Sequence, residues 1–186
     1  PYNAGQVNEN DNNKNRVYKN LDKRVRETYA HDSRASDKTD LNDPYIKALR
    51  WASDRIRDEG VVALVTNNGY LDGIAFDGVR KHLMEDFDAI YIMDLGGNVR
   101  KNPKLSGTTH NVFGIQVGVA ICFLIRQSER SGAKSIFFTS TEPNWRREQK
   151  YSFLENAGSI DQVKWTALEP DAKFTWLTEG MHEDFA

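Results

Sequence analysis

The feature that most constrains the fold is an almost uninterrupted apolar run from Phe113 to Ile125, in which Gln116 is the one strongly polar residue. Such a run is typical of a β-strand that is covered on both faces, because a strand with one solvated face alternates apolar and polar side chains. Glycines at 114 and 118 indicate that another backbone or a ligand approaches the beginning of this strand. The sequence therefore predicts a strand from Phe113 to Ile125 in the interior of a layered domain.

Helix and strand signals alternate in the part of the chain that precedes this strand. Asp43 and Pro44 are a helix start signal, and Gly60 is the expected end of that helix. The polar turn Asn67-Asn68-Gly69 directly follows an apolar strand. The elements alternate as in a parallel α/β sheet, whose ligands bind beyond the carboxyl ends of the strands. The predicted order is helix 44–60, strand 61–66, helix 76–86 and strand 89–95.

The outer parts of the chain give weaker signals. A helix is predicted from Lys14 to Tyr29, a strand at 136–139 and a second helix from Pro143 to Ala157, whose dense charges indicate a solvated face. Trp165 and Trp176 lie in a segment with little regular pattern, which favours a linker packed on a neighbouring domain. The predicted division is 1–130 and 131–186, the second part being an extension.

A glycine-rich basic loop, residues 96–111, connects the strand at 89–95 to the strand at 113–125. It begins with two glycines and contains no acidic residue. Loops of this length are typical of binding segments, and cationic side chains beside flexible backbone suit phosphate contacts. A solvated hairpin tip is an equally good interpretation. The polar residues that the sequence predicts for such phosphate contacts are Asn98, Arg100, Lys101 and Lys104.

Composition excludes several classes of protein. The 186 residues can form a real core, and a formal charge of −2 excludes a globally basic nucleic-acid binder while leaving local patches open. Cys122 is expected to be a core residue, and the four histidines have no ligand spacing that indicates a metal site. Asp94 fits a loop-ordering role better than a magnesium ligand. The sequence has no signal peptide or membrane span, so a cytoplasmic protein without membrane partners is expected.

Four stretches of the chain together resemble a known family. The chain begins Pro1-Tyr2-Asn3, and the other three stretches are Ala48–Ile56, Val65–Gly73 and Asp94–Pro103. The residues of these stretches and their order along the chain resemble those of an adenine-specific DNA methyltransferase of the Asn-Pro-Pro-Tyr class. Such domains occur in large single-polypeptide restriction-modification enzymes that also carry helicase and nuclease parts. The resemblance implies an α/β fold, namely the C-terminal half of a Rossmann-like S-adenosylmethionine-dependent methyltransferase sheet with an antiparallel last strand.

The resemblance also implies roles for individual residues. In the family, the Asn and a prolyl carbonyl of the motif accept hydrogen bonds from the adenine amino group, and the Tyr stacks on the flipped base. Pro1 matches the second proline and Tyr2 the stacking tyrosine, so both are candidate catalytic residues. The resemblance implies a fragment that starts inside the motif, without its Asn and its first proline. Phe113 matches the aromatic residue on the opposite face of the base. The alternative for Phe113 is a core side chain at a strand start.

The family's cofactor is S-adenosylmethionine, but its glycine-rich cofactor motif has no counterpart in this chain. The chain alone is therefore expected to bind the cofactor weakly or not at all and to be inactive. The implied partners are double-stranded DNA and the remaining domains of a parent polypeptide. The alternatives are a non-enzymatic nucleic-acid-binding module that uses loop 96–111, and a nucleotide-using enzyme. The latter is disfavoured because no phosphate-binding turn leads into a helix.

Overall fold

A computed structural model describes residues 17–99, 101–102, 109–129, 132 and 134–177 of the chain. These residues form five strands and four α-helices, together with short 3₁₀ turns. The strands are β1 (Gly60–Asn67), β2 (Ala89–Gly96), β3 (Val119–Arg126), β4 (Ser135–Ser140) and β5 (Thr166–Leu168). The helices are α1 (Lys19–Val25), α2 (Pro44–Ser53), α3 (Asp77–Asp86) and α4 (Arg147–Ala157).

The five strands form one mixed sheet in the order β1-β3-β2-β4-β5. Strand β3 is antiparallel to both of its neighbours, whereas β2 and β4 are parallel. The predicted antiparallel strand is confirmed, and it lies between β1 and β2, which run in the same direction but do not pair with each other. Since β1 and β2 still run in the same direction, their carboxyl ends lie at one edge of the sheet. The architecture is a mixed α/β fold that is consistent with a Rossmann-like domain.

The apolar run divides into a turn and a strand. β3 begins at Val119, six residues later than predicted, and residues 113–118 form turns. Gly114 has a φ of 69°, a left-handed conformation that an extended strand does not contain. The apolar character of residues 113–118 thus reflects packing of a structured turn and not pairing in the sheet.

The helix boundaries differ from the predicted ones at several ends. α2 begins at Pro44 as predicted but ends at Ser53, where a turn carries Asp54 toward Arg24 and Arg50. α1 begins at Lys19 and continues as a π-helical turn at 26–30, whereas residues 14–16 of the predicted helix lie outside the described residues. α4 begins at Arg147, four residues after Pro143.

The sheet is covered differently on its two faces. One face carries the larger core, in which Ile92, Cys122 and Phe138 pack against α1, α2 and α3. On the opposite face Met93, Leu95 and other residues pack against the apolar side of α4. Toward β1 this second face is less covered, since the side chains of Val61 and Val65 are 60% and 37% exposed. Within the described residues β1 pairs only with β3, so β1 is an edge strand.

The two C-terminal tryptophans pack within this same body. Trp165 contacts Tyr91 edge to face at 5.2 Å on the α4 side of the sheet. Trp176 is buried in the larger core, where its ring meets Tyr70 at 6.3 Å. Both rings therefore cover the sheet or core of this chain, and they do not lie on an exposed linker. The domain boundary at residue 130 stays a prediction, although β4 and β5 belong to the same sheet as β1 to β3.

An ion-pair network lies at the end of the sheet where β1 begins. Arg50 on α2 is 2% exposed and lies 2.8 Å from both Asp54 and Asp86. Its guanidinium also lies over the ring of Tyr29, 5.3 Å from the centroid. Arg24 of α1 completes the network through Asp54. The network connects α1, α2 and α3 on the side of the domain away from loop 96–111.

None of the helices among the described residues has both the length and the hydropathy of a membrane-spanning segment.

Candidate nucleic-acid interface

The carboxyl ends of β1 and β2 are joined by side chains at one edge of the sheet. Asp94 Oδ1 accepts hydrogen bonds from Asn68 Nδ2 at 3.0 Å and from the Gly96 amide at 2.8 Å. The loop-ordering role predicted for Asp94 is thus observed. Asn67 Oδ1 accepts from the Gly69 amide, so Asn67 forms a turn. Tyr70 is fully buried in the core and does not line the edge.

The side chain of Asn111 organises the segment that leads into β3. Asn111 is completely buried, and its Nδ2 donates to the carbonyls of Gly97 at 3.1 Å and Val117 at 2.7 Å. Its Oδ1 accepts from the amides of Phe113 at 2.9 Å and Ile115 at 3.3 Å. All four bonding positions of one amide group are therefore used to hold the two sides of the loop and the turn between them.

The glycine pair at the start of the loop allows close contact with the other side of the loop. Gly97 has a φ of 77°, and a Cβ there would lie 2.8 Å from Asn111 Cα and from the His110 carbonyl oxygen. A side chain would therefore be both strained and in collision with backbone. The Val99 amide donates to the Gln116 carbonyl at 3.1 Å and joins the two sides further along.

Phe113 lies in the turn organised by Asn111, with 45% of its surface exposed. The alternative of a core phenylalanine at a strand start is wrong on both counts, because the residue is neither buried nor in β3. The backbone under the ring is fixed by the bond from the Phe113 amide to Asn111 and by the bond from the Gly114 amide to the Asn111 carbonyl at 3.1 Å. A large apolar ring is thus held out of the core on a rigid turn.

Lys150 of α4 is buried under the loop. Its side chain is 0% exposed, and its Nζ donates to the carbonyls of Leu95 and His110, each at 2.6 Å. Burial lowers the pKa of Lys150 to about 8, and the nearby Asp94 charge partly opposes that shift. The prediction that the charges of this helix mark a solvated face is therefore wrong for Lys150.

Two further contacts join α4 to the same loop. The Arg147 amide at the start of the helix donates to the Thr109 carbonyl at 3.0 Å. The Tyr151 hydroxyl donates to the Val112 carbonyl at 2.5 Å. Together with Lys150, α4 thus contacts three of the four backbone carbonyls that immediately precede Phe113.

The structure describes some of the basic residues of loop 96–111. Lys101 Nζ lies 2.6 Å and 2.5 Å from the two carboxylate oxygens of Asp72, and the Lys101 side chain is 54% exposed. Asn98 accepts from the Lys101 amide through Oδ1 at 3.1 Å. Lys101 is therefore an exposed cation with an acidic partner. Four of the predicted site residues lie outside the described residues: Pro1, Tyr2, Arg100 and Lys104.

Gly96 and Gly97 do not form a glycine-rich cofactor turn. They follow a strand, but Gly97 packs against the other side of the loop, and the described residues between β2 and β3 contain no helix. A glycine-rich cofactor turn needs open space above the glycines and a helix after them. Within 17–177, apart from the undescribed positions, no three His, Cys, Asp or Glu side chains are grouped to hold a metal ion. Cys122 is a core residue, as predicted, and burial raises its pKa to about 11.

Sequence reasoning missed Asn111 and Lys150, although each carries a recognisable signal. Asn111 stands three residues before Gly114, in the order typical of a side chain that bonds the backbone of a following turn. Lys150 precedes Phe153 and Leu154 by three and four residues, which places it on the apolar face of α4. A lysine on the apolar face of a helix indicates that its ammonium group bonds to buried acceptors.

The fold and this edge define a mixed α/β domain that carries an aromatic side chain, on a turn bonded by Asn111, beside the carboxyl ends of two strands. No family model matches the chain, and no curated protein matches it. Solved structures do, and each of the three most informative was determined with DNA.

The first is a complex of DrdV with DNA, at 40% identity and a TM-score of 0.83. The second is the ATP-dependent Type ISP restriction-modification enzyme LlaBIII bound to DNA, at 34% identity and a TM-score of 0.83. The third is a nuclease-deletion mutant of the Type ISP restriction-modification enzyme LlaGI with a DNA substrate mimic, at 32% and 0.85. Each match covers 95% of this chain, which spans 17%, 12% and 17% of those chains respectively.

Proposed function

We propose that the chain is part of a site-specific DNA adenine methyltransferase within a restriction-modification enzyme. The reaction transfers a methyl group from S-adenosylmethionine to the exocyclic amino group of adenine in double-stranded DNA. The similarity to restriction-modification enzymes solved with DNA supports the system and the partner. The resemblance of the sequence to the Asn-Pro-Pro-Tyr class supports the reaction.

The observation that carries the proposal is the exposed ring of Phe113 at the carboxyl edge of the sheet. An enzyme that modifies a base in a duplex extrudes that base and holds its faces between aromatic or apolar side chains. Phe113 is half exposed at this edge, and Asn111 fixes the backbone beneath it. We assign Phe113 to one face of the flipped adenine and Tyr2 to the other.

The described residues therefore form one wall of the proposed site. Phe113 stacks on the base, while Asn98, Lys101 and the two basic residues outside the described part contact backbone phosphates. Phosphate contacts fix the position of the duplex and do not read sequence. The cofactor is assigned to the rest of the polypeptide, because the glycine pair Gly96-Gly97 does not form a cofactor turn. Pro1 is assigned to the hydrogen-bonding motif beside the base.

The proposal is tested with the full-length polypeptide that contains this chain. It is incubated with S-adenosylmethionine and genomic DNA from a strain that lacks the modification, and the DNA is digested to nucleosides. Mass spectrometry is expected to detect N6-methyladenine, and this assay needs no knowledge of the target site. If the polypeptide binds DNA but produces no methylated adenine, the non-enzymatic binding module replaces the methyltransferase.

Phe113→Ala in that polypeptide is expected to lower the methylation rate at limiting DNA by about 5-fold to 150-fold. The basis is that stacking of one base on an aromatic side chain is worth about 1–3 kcal/mol. Phe113→Trp preserves a stacking surface and is the matched control, with activity within a few-fold of the unmodified enzyme. Methylation by the alanine variant at the unmodified rate would remove Phe113 from the site.

Lys101→Met is expected to weaken DNA binding and to lower the salt dependence of the binding constant by about one phosphate contact. Asp72→Asn is the informative counterpart, because it removes the carboxylate that holds the Lys101 ammonium and leaves the cation available for phosphate. Its affinity for DNA is expected to rise. Fluorescence anisotropy over a range of salt concentrations measures both, and identical salt slopes for Lys101→Met and the unmodified protein contradict the assignment.

A further inference from the structure

We propose that Lys150 is a positioning residue that holds the Phe113 turn in place for the flipped base, with α4 acting as a brace behind the loop. Phe113 as a stacking residue is part of the proposed function, and the inference rests on that function.

The geometry of Lys150 points to a clamp. Its ammonium connects the Leu95 carbonyl at the end of β2 to the His110 carbonyl just before Asn111. These two carbonyls stand at opposite ends of loop 96–111, so one buried cation holds the two ends of the loop together. A buried ammonium is costly unless its donors are bonded, and both acceptors are backbone carbonyls at the two ends of this loop.

The neighbouring contacts of α4 act on the same short segment. Arg147 and Tyr151 bond the carbonyls of Thr109 and Val112, which flank the carbonyl bonded by Lys150. Asn111 then fixes the amides of Phe113 and Ile115 from inside the turn. The helix sets where the turn lies, and Asn111 sets its shape. A displacement of about 1 Å of a group that positions a substrate can lower a rate about a hundredfold.

The first experiment is independent of the chemistry. Hydrogen exchange of the full-length polypeptide, measured by mass spectrometry, compares the unmodified protein with Lys150→Met. Methionine has a similar shape but donates no hydrogen bond, so peptides that cover 109–118 are expected to exchange about tenfold faster. Peptides from β1 and the middle of β3 are expected to be unchanged. Unchanged exchange at 109–118 overturns the brace whether or not the polypeptide methylates DNA.

The second experiment tests the connection to Phe113 through a double-mutant cycle. Lys150→Met alone is expected to lower the methylation rate about tenfold to a hundredfold. In a Phe113→Ala background the same change is expected to have little further effect, because the ring that it positions is gone. A general loss of stability lowers the rate by the same factor in both backgrounds, so additive effects overturn the positioning role.

Two more variants keep the inference testable if Lys150→Met folds poorly. Tyr151→Phe removes only the hydroxyl bond to the Val112 carbonyl and is expected to give a smaller change of the same kind. Lys164→Met makes the same chemical change at an exposed lysine outside α4 and is expected to leave exchange and methylation unaltered. An effect of Lys164→Met equal to that of Lys150→Met contradicts the inference. Absence of methylation in every protein, with faster exchange only in the α4 variants, defeats the proposed reaction and leaves the brace standing.

Discussion

Replacement of Arg50 by methionine is expected to destabilise the fold by about 3–5 kcal/mol, because it removes the buried cation that joins Asp54 and Asp86 in one ion-pair network. Arg50 is almost fully buried, and its guanidinium lies 2.8 Å from Asp54 and from Asp86. Methionine fills much of the volume of arginine but cannot pair with either carboxylate. The methionine side chain also has no positive charge to interact with the ring of Tyr29.

Chemical denaturation followed by circular dichroism measures this change. Arg55→Met is the matched control, since Arg55 is exposed and its guanidinium lies over the ring of Trp51 at 4.0 Å. Loss of an exposed contact of that kind is expected to cost about 0.5–1 kcal/mol. Equal midpoints for the two variants show that the network around Arg50 does not stabilise the fold.

Lowering the pH is expected to reduce the difference in unfolding free energy between Arg50→Met and the unmodified protein. Burial raises the pKa of Asp54, but Arg24 and Arg50 outweigh burial and leave that pKa below its ordinary value. Stability from a lowered carboxylate pKa is complete above the pKa of the unfolded chain, about 3.9, and is lost as the pH falls through the folded value. The free-energy difference is therefore expected to be constant from pH 7 to pH 5 and to shrink below pH 4.

Asn111→Asp is expected to open the Phe113 turn and to lower methylation by about a hundredfold. Aspartate keeps the two acceptor positions for the amides of Phe113 and Ile115 but loses both donors. The carbonyls of Gly97 and Val117 then face a carboxylate in a fully buried position. Each unsatisfied carbonyl costs about 1–3 kcal/mol, which is enough to open a loop locally while the sheet stays folded.

Asn67→Asp is the matched comparison for folding and hydrogen exchange. Asn67 caps a 3₁₀ turn at the same edge of the sheet, and the bond that it makes there uses its carbonyl oxygen as acceptor. Aspartate is as good a cap as asparagine, so this change is expected to be nearly neutral. Exchange at 111–117 that is no faster in Asn111→Asp than in Asn67→Asp contradicts the role of the Asn111 amide group.

Local sequence signals predicted the elements whose residues all obey one periodicity. The apolar strands β1 and β2 lie within one or two residues of their predicted bounds, and Pro44 begins α2 as expected. Short-range sequence patterns are sufficient to specify these elements, and the tertiary contacts agree with them. Because β1 and β2 run in the same direction, the turns that follow them were predicted to lie at one edge of the sheet. The hydrogen bond between Asn68 and Asp94 confirms this.

The start of β3 was mispredicted because hydropathy does not distinguish a strand from a partly exposed turn that carries apolar side chains. Residues 113–118 are apolar in sequence, but a side chain two residues earlier, Asn111, bonds their amides and turns the backbone. The competing interaction is a side-chain to backbone bond, and no periodicity records it. The same error hid the exposure of Phe113, since a strand start suggested a core side chain.

The burial of Lys150 was missed for a different reason. Charges on a helix usually mark its solvated face, and α4 carries several. The acceptors of Lys150 are backbone carbonyls of a loop forty and fifty-five residues earlier in the chain, so local sequence does not reveal them. The spacing of Lys150 to Phe153 and Leu154 indicates its burial, but the long-range packing of α4 is needed to identify its acceptors.

The position of β1 at the margin of the sheet affects how the protein is expected to behave in solution. Its outward backbone donors and acceptors have no strand partner among the described residues, and Val61 and Val65 add an apolar surface beside them. Such a margin is a template for pairing with a second molecule. Preparations of the chain by itself are therefore prone to self-association through β1, and a lysine at position 61 or 65 is the simplest means of keeping them monodisperse.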